Sequence, residues 1–220
     1  MTQLRLNITT SLDGYVAGPR PTLEKPLGEG GEHLHQWLFA LAAFRASHGM
    51  EGGEVNEDTP VYEESLGAGA TIMGRRMFSG GSGAWEDDPN ANGWWGDEPP
   101  FHTPVFVLTH HPRAPLVLGE TTFTFVTDGI EPALDQARAA AGDRHVALGG
   151  GADVARQYLD AGLLDELTVH LVPVLLGGGT RLFEGATPAE LELTKAIASP
   201  SVTHLTYRTG VAMLTLRKKS

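Results

Sequence analysis

Three short blocks of this chain carry residue types whose spacing suits the binding of an anion. In the first, a short apolar run, Val146, Ala147 and Leu148, meets three glycines, Gly149, Gly150 and Gly151, and a helical pattern opens at once at Ala152, Asp153 and Val154. Glycines have no Cβ to hold a ligand away from the backbone. The N–H groups of a helix's first turn have no partner within the helix, so an approaching phosphate meets aligned donors. The second block is Thr71-Ile72-Met73-Gly74-Arg75-Arg76-Met77-Phe78, where a buried strand ends at a glycine and two arginines stand at a helix start. Cations there oppose the helix dipole. Either a phosphate, gripped by the bidentate guanidinium fork, resolves that conflict, or the arginines are solvated or paired with the chain's many carboxylates. In the third, an apolar run over 105–108 leads into Thr109-His110-His111-Pro112-Arg113, with no acid. An acid past such a strand suits the ribose diol of NAD, whereas basic and hydroxyl groups suit the 2′-phosphate of NADP.

Other chemistries find little support. The G-x-G-x-x-G pattern and the Gly-Lys-Ser/Thr ending of a P-loop are both absent. There is no cysteine, which excludes disulfides, thiolate nucleophiles and cysteine zinc sites. His33 with His35, and His110 with His111, lack a convincing third ligand, so no metal is expected. Ser82 sits in Gly80-Gly81-Ser82-Gly83, which is not a nucleophile elbow. A net charge of −11 argues against general nucleic-acid binding, which needs clustered Lys and Arg. No run approaches the roughly 20 apolar residues of a membrane span, and the first residues lack a signal-peptide core. The expectation is a soluble cytoplasmic protein without nucleic-acid or membrane partners.

The elements that must position these blocks follow from periodicity and turn chemistry. With 220 residues, 41% of them hydrophobic, the chain fits one domain over 1–220. Residues 4–10 alternate as a strand, Ser11-Leu12-Asp13-Gly14 is a turn, and Tyr15-Val16-Ala17-Gly18 continues from it. A Pro/Gly loop over 19–31 precedes a helix over 32–47, with Leu34, Leu38, Leu41 and Ala42 on one face. A glycine-rich acidic stretch over 49–58 leads to a short helix over 59–66, a strand over 70–73 and a helix opening at Arg75. Strands follow over 105–109 and 123–127, then a helix over 130–141 with Pro132 in its first turn. After the glycine turn and its helix, β-branched Thr168, Val169, Val172 and Val174 suit a buried strand. Strands over 191–198, 202–208 and 211–216 have no helices between them and should pair antiparallel. The loop over 79–104 is too long to be idle. Its Trp85, Trp94, Trp95 and Phe101 either cover an aromatic ligand or form a satellite apolar cluster or dimer contact.

Taken together, these residues resemble the dihydrofolate-reductase-like superfamily. The closer resemblance is to the reductase domain at the C-terminal end of bifunctional riboflavin-biosynthesis deaminase-reductases, the RibD C-terminal domain family. Four features carry it: Ile8-Thr9-Thr10-Ser11-Leu12-Asp13-Gly14, Met73-Gly74-Arg75-Arg76, Gly149-Gly150-Gly151, and Asp165-Glu166-Leu167 leading to Pro173-Val174-Leu175-Leu176-Gly177-Gly178-Gly179. The likeness covers nearly the whole chain in order, while the deaminase half with its zinc site is missing.

The resemblance implies an α/β fold of three layers, with a mostly parallel central sheet, antiparallel C-terminal strands and flanking helices. It also implies NADPH as cofactor and a homodimer. Carried over residue by residue, Thr10 and Val16, Ala17 and Gly18 would hold the nicotinamide carboxamide. Gly74, Arg75, Arg76 and Met77 would meet the pyrophosphate and 2′-phosphate. Leu108, Thr109 and His110 would border the adenosine, and Gly149, Gly150, Gly151, Ala152, Asp153 and Val154 would wrap the pyrophosphate. Dihydrofolate reductases usually place a hydroxyl residue where Met77 stands, so one side-chain phosphate contact is lost.

On the substrate side, dihydrofolate reductases use a carboxylate from the helix before the Met-Gly-Arg motif, and Asp58 is the nearest by spacing, with Glu57 beside it. Asp13 belongs to a motif near the substrate pocket, or else caps its own turn. Glu32, Trp37 and Trp85 are further substrate candidates. The activity implied is NADPH-dependent hydride transfer to a C=N or C=O carbon of a small pterin- or pyrimidine-like heterocycle. Alternatives are a 5-amino-6-(5-phosphoribosylamino)uracil reductase, a dihydrofolate reductase proper, or a non-catalytic dimeric binding module.

Overall fold

The computed structural model describes residues 2–210. The strand expected over 211–216 lies outside them. A nine-stranded sheet organises the chain, in the order β10-β11-β8-β1-β7-β3-β4-β6-β5. Its centre is parallel: β1 (Leu4–Ser11), β3 (Ala70–Gly74), β4 (Val105–Leu108), β6 (Thr121–Val126), β7 (Val146–Leu148) and β8 (Glu166–Val172). Antiparallel strands flank it: β5 (Leu116–Leu118) on one side, β11 (Thr203–Arg208) and β10 (Glu192–Ala198) on the other. The late strands pair antiparallel, as the missing helices between them require. A two-stranded ribbon, β2 (Tyr15–Ala17) with β9 (Thr180–Arg181), lies outside the main sheet.

Alternation along the strands decides which layer covers which face. Leu4 and Leu6 of β1, Ile72 of β3, Phe106 of β4 and Leu148 of β7 face α5 (Ile130–Ala141) and α6 (Ala152–Asp160), whose Ala133, Leu134, Ala137, Ala155 and Tyr158 complete the main core. The opposite face carries two smaller clusters. One joins Val172 and Val202 to Leu34, Trp37 and Leu41; the other joins Met73, Val105, Val107 and Phe123 to Phe78 and the loop aromatics Trp85, Trp95 and Phe101. Helices on both faces of a mostly parallel sheet make three layers.

Most expected elements are present, with ends shifted by a residue or two. β8 stops at Val172 because Pro173 has no N–H to donate. The helix expected over 32–47 is broken. A 3-10 helix (Gly31–His35), α1 (Gln36–Phe39) and α2 (Ala42–Ser47) replace it. Leu41 is extended, at φ −71° and ψ 133°. The glycine-rich segment doubles back on this point: Glu54 N–H donates to Ala40 O at 2.7 Å, and Ala42 N–H to Glu54 O at 2.8 Å. Gly53, at φ +107°, lies so close to Ala42 that a Cβ would stand 2.7 Å from its backbone. These tertiary hydrogen bonds replace those of the helix. α3 (Thr59–Ser65) and α4 (Arg75–Ser79) form where the sequence places helices.

Candidate active site

The three candidate anion-binding blocks converge at the C-terminal ends of adjacent parallel strands, the edge where open α/β sheets bind ligands. β3 ends at Gly74 and its neighbour β7 at Leu148. Gly149 N–H donates to Ile72 O at 2.8 Å, and Gly74 N–H to Gly150 O at 3.1 Å. A Cβ on Gly74 would lie 2.8 Å from Val154 Cγ2, so glycine lets the start of α6 seat against the end of β3. The peptide between Gly150 and Gly151 is cis. Nothing lies within 4 Å of where a Cβ would project from Gly150 or Gly151, so this turn faces open space. The first helical bond of α6 runs from Ala155 N–H to Gly151 O, which leaves the N–H groups of Ala152, Asp153 and Val154 in the unpaired first turn. Asp153 pairs with Arg156, which offsets its charge beside this seat.

Arg75 and Arg76 have different environments. Arg76 is exposed, and its side chain has no ion pair or hydrogen bond among the described residues. Met77 packs on the glycine turn, 3.2 Å from where a Gly149 Cβ would stand. Arg75 is buried, with its Cζ 3.6 Å from the Trp85 ring centroid and Nη2 2.5 Å from Asp88 Oδ2. Its hydrogen bond goes to Ser79, while Nε and Nη2 have no acceptor of hydrogen-bonding geometry. A carboxylate of the chain itself therefore supplies most of Arg75's counter-charge, the second of the two solutions open to the sequence. Burial pushes the Asp88 carboxyl up, but hydrogen bonds from Ser79, the Asn90 amide and Arg75 outweigh it and hold Asp88 below the usual carboxylate range.

The remaining cofactor candidates line the same edge. Leu108 pairs with Gly74, and Thr109 follows it, its hydroxyl oxygen accepting the His111 N–H at 3.1 Å. His110 is exposed at this turn. Thr10 is buried near the end of β1. Val16 and Ala17 belong to the β2–β9 ribbon, where a Cβ on Gly179 would collide with Ala17 O at 2.0 Å. Gly18 N–H donates to Leu27 O at 2.8 Å, tying the ribbon to the Pro/Gly loop.

The substrate candidates do not form one group. Asp13 binds the protein: it accepts from Ser11 Oγ at 2.6 Å, Leu176 N–H at 3.1 Å and Gly177 N–H at 2.7 Å. Its pKa falls to about 2, chiefly through the Ser11 hydrogen bond; desolvation opposes this, and the Gly177 and Leu176 amides add to the lowering. Asp13 thus fastens the turn after β1 to the glycine-rich segment after β8. Trp85 sits in the loop's satellite cluster, donating Nε1–H to His111 O at 2.7 Å and packing edge-on against Phe125. Trp37 and Asp58 do meet, through two histidines. Asp58 Oδ1 lies 3.1 Å from His204 Nε2, and Trp37 packs on His204 and His170 with ring centroids 5.0 Å apart in each case. Glu32 is exposed on the 3-10 helix. The sequence reading missed His170 and His204. Each is a single histidine in an alternating strand, and only the register His204↔His170 brings them together.

A mostly parallel sheet with an open glycine turn at the end of a central strand, an antiparallel C-terminal flank and helices on both faces make a dihydrofolate-reductase-like α/β fold. The chain belongs to the RibD C-terminal domain family, whose model matches residues 2–205. Among solved structures, a protein of Shewanella sp. PV-4 assigned to riboflavin biosynthesis superposes with a TM-score of 0.61 at 21% identity, covering 96% of this chain and 100% of that one. The diaminohydroxyphosphoribosylaminopyrimidine deaminase/5-amino-6-(5-phosphoribosylamino)uracil reductase of Thermotoga maritima gives 0.59 at 15% identity, with 94% of this chain covering 56% of that protein. Dihydrofolate reductase from Enterococcus faecalis, solved with NADP(H), gives 0.50 at 15% identity, covering 95% and 97%. At these identities the likeness is one of fold. No curated protein matches the chain in sequence. Among the described residues, no helix is long and apolar enough to cross a membrane.

Proposed function

We propose that this protein is an NADPH-dependent reductase acting on a C=N or C=O carbon of a small pterin- or pyrimidine-like heterocycle. The observation that carries the reading is the open glycine turn at the head of α6, locked to the end of β3 by the Gly74–Gly150 hydrogen bond, with Arg76 unpaired and Arg75 holding unmatched donors nearby. Bound NADPH would supply the hydride. The Gly149, Gly150 and Gly151 backbone and the first-turn amides of α6 would hold the pyrophosphate, and Arg76 the 2′-phosphate. An anionic oxygen would also give Arg75 Nε the acceptor it lacks. The protein's task is to orient the reacting carbon and exclude water.

The riboflavin-pathway alternative requires a cation for a ribose phosphate. Arg20 is paired with Glu29 and Arg45 donates to Glu51 O, which leaves Lys25 among the candidates before the cofactor motif. That favours an unphosphorylated heterocycle. The reading includes a homodimer, supported by the exposed edge strand β10, where Leu193 is 53% exposed. Calorimetric titration with NADPH, with NADH as control, tests the reading. Micromolar NADPH binding with a clear preference over NADH is expected, and binding of neither removes the reductase.

A further inference from the structure

Under α1 and α3, on the face opposite α5 and α6, three buried polar side chains are strung across two strands. Asp58 Oδ1 contacts His204 Nε2 at 3.1 Å, and His204 Nδ1 contacts His170 Nδ1 at 2.7 Å. Asp58, His204, His170 and Trp37 are 1%, 2%, 6% and 6% exposed. The Ser199 and Ser201 hydroxyls donate to Asp58 Oδ2 at 3.1 and 3.4 Å. This much buried polarity is costly unless every group is satisfied, yet the cluster is incomplete. Trp37 Nε1 and His35 Nδ1 are buried without partners, and His170 makes its side-chain hydrogen bond through Nδ1 alone. Among the described residues no group of three or more His, Cys, Asp or Glu side chains could hold a metal ion.

His170 lies toward the C-terminal end of β8, the sheet edge that carries the glycine turn. Leu6 of β1 pairs with Leu148 on one side and Leu167 on the other. Three residues further along, Thr9 pairs with His170, two residues before β8 ends, whereas β7 has already given way to the glycine turn. Two strand spacings, about 10 Å, separate β8 from β7. The 3-10 helix that carries His35 packs against β1 and β2.

The nitrogen-to-nitrogen contact fixes the chemistry. One proton must lie between the two Nδ1 atoms, because two lone pairs or two N–H groups would repel. Burial, then the His204 and His35 charges, lower the His170 pKa to about 3. Burial also lowers His204, against the opposing effect of Asp58. Each neutral imidazole carries one N–H, so two arrangements exist. In one, Asp58 is a carboxylate, His204 carries Nε2–H, His170 carries Nδ1–H, and His170 Nε2 is bare. In the other, Asp58 is a carboxylic acid, His204 carries Nδ1–H, and His170 carries Nε2–H. They differ by one proton passed along the chain.

We propose that Asp58, His204 and His170 form a proton relay that delivers a proton from His170 Nε2 to the heteroatom of the C=N or C=O group being reduced. His170 is the catalytic residue, and His204 and Asp58 are positioning residues. The proposal rests on the reductase reading. The reduced carbon gains a hydride, the π pair moves to the heteroatom, and the heteroatom takes the proton from His170 Nε2. His170 Nδ1 takes the His204 Nδ1 proton, and His204 Nε2 takes the Asp58 proton, leaving a carboxylate. Solvent restores that proton by way of the exposed Ser201, whose hydroxyl contacts Asp58 Oδ2, and a cavity of about 240 Å3 lined by His204, Ser65, Thr168 and Lys195 lies beside the relay. Other groups face the relay. His35 faces His170, and Lys195 faces His204 while paired with Glu64. Arg5 with Glu166, and His145, line the far side of the cavity. His35 and Lys195 both discourage an imidazolium, which keeps the relay in its neutral, proton-passing forms.

The test is histidine side-chain NMR on the full chain labelled with nitrogen-15, from about pH 4 to about pH 9. His170 and His204 are expected to exchange tautomers together in one transition. Asp58→Asn should abolish that exchange, since the amide oxygen still accepts from His204 Nε2–H but stores no proton. Should that variant fail to fold, the coincidence of the two transitions in the wild-type protein still decides. With NADP+ present, 2,4-diaminopyrimidine at millimolar concentration should shift His170 Nε2, and no shift overturns the delivery step. NADPH binding, read at the Gly149–Gly151 amides, with the two histidines titrating independently overturns the relay alone. Loss of NADPH binding with the coupled exchange intact removes the reductase reading, and the delivery role falls with it.

Discussion

Replacing Asp88 by alanine removes the counter-charge from a buried guanidinium. The Asp88 side chain is 2% exposed and that of Arg75 is 7% exposed, so water cannot readily take the carboxylate's place. The carboxylate also accepts from Ser79 Oγ at 2.8 Å and from the Asn90 N–H at 2.9 Å, and both donors lose their partner. Breaking a buried pair from one side costs about 3–5 kcal/mol. Contact with the Trp85 face and the Ser79 hydroxyl remain for Arg75, which favours the lower end, about 3 kcal/mol. For a chain of this size that lowers the melting temperature by about 6–12 °C. Urea denaturation followed by circular dichroism and tryptophan fluorescence measures it, in a cycle with Arg75→Met and the double variant Arg75→Met/Asp88→Leu. The double variant should recover most of the loss, because no charge is then left buried alone. An Asp88→Ala cost below about 1 kcal/mol would refute the reasoning, by showing that the guanidinium finds water or another anion. The same variant frees Arg75, so tighter NADPH binding by folded Asp88→Ala would identify Arg75 as a second phosphate ligand.

Three further outcomes follow from the geometry. Arg76→Ala should weaken NADPH about tenfold to a hundredfold, the worth of one charge-assisted hydrogen bond, and leave NADH unchanged; equal losses in calorimetry would remove the 2′-phosphate role. Asp13, held at about 2 against an ordinary 3.8, contributes stability that is complete above about pH 4 and is lost as pH falls through about 2. Asp13→Asn should therefore flatten the acid limb of a stability profile below about pH 4, and an unchanged limb would show that the Leu176 and Gly177 contacts are not made in solution. His170, neutral in the fold down to about 3 but protonated near 6.5 when unfolded, makes stability fall as pH drops through that window. The slope reaches about 1.4 kcal/mol per pH unit. Urea titrations at a series of pH values should show His170→Gln losing this slope, and an equal slope in both proteins would mean that His170 is hydrated.

What was legible in the sequence was local. The glycine turn, the Met-Gly-Arg-Arg strand end, α5 and the antiparallel pairing of the late strands all follow from spacing and turn chemistry within short windows. The break at Leu41 was not legible, because the partner that extends it, Glu54, arrives from a later loop. The tryptophan-rich loop forms the satellite apolar cluster that its residues allowed, but that it also pins Arg75 and Arg113 depends on where Phe78, Phe123 and Phe125 meet it. The Asp58 relay needed both the β8–β11 register and the packing of α3, each long-range. Asp58 was singled out by resemblance, while the histidines that connect it to the sheet carried no motif.

The proposed phosphate seat is made largely of main chain. Its amide donors belong to whatever residues occupy the first turn of α6, and its shape depends on glycines that keep space clear. Such a seat is mutationally robust: most side chains around it can be exchanged through neutral drift without altering the donors. The few positions that stay constrained are those where a Cβ would collide, as at Gly74 and Gly179. On the proposed reading, the helices and loops over the opposite face are then free to vary, so a scaffold of this kind could change what it reduces while keeping how it holds the reductant.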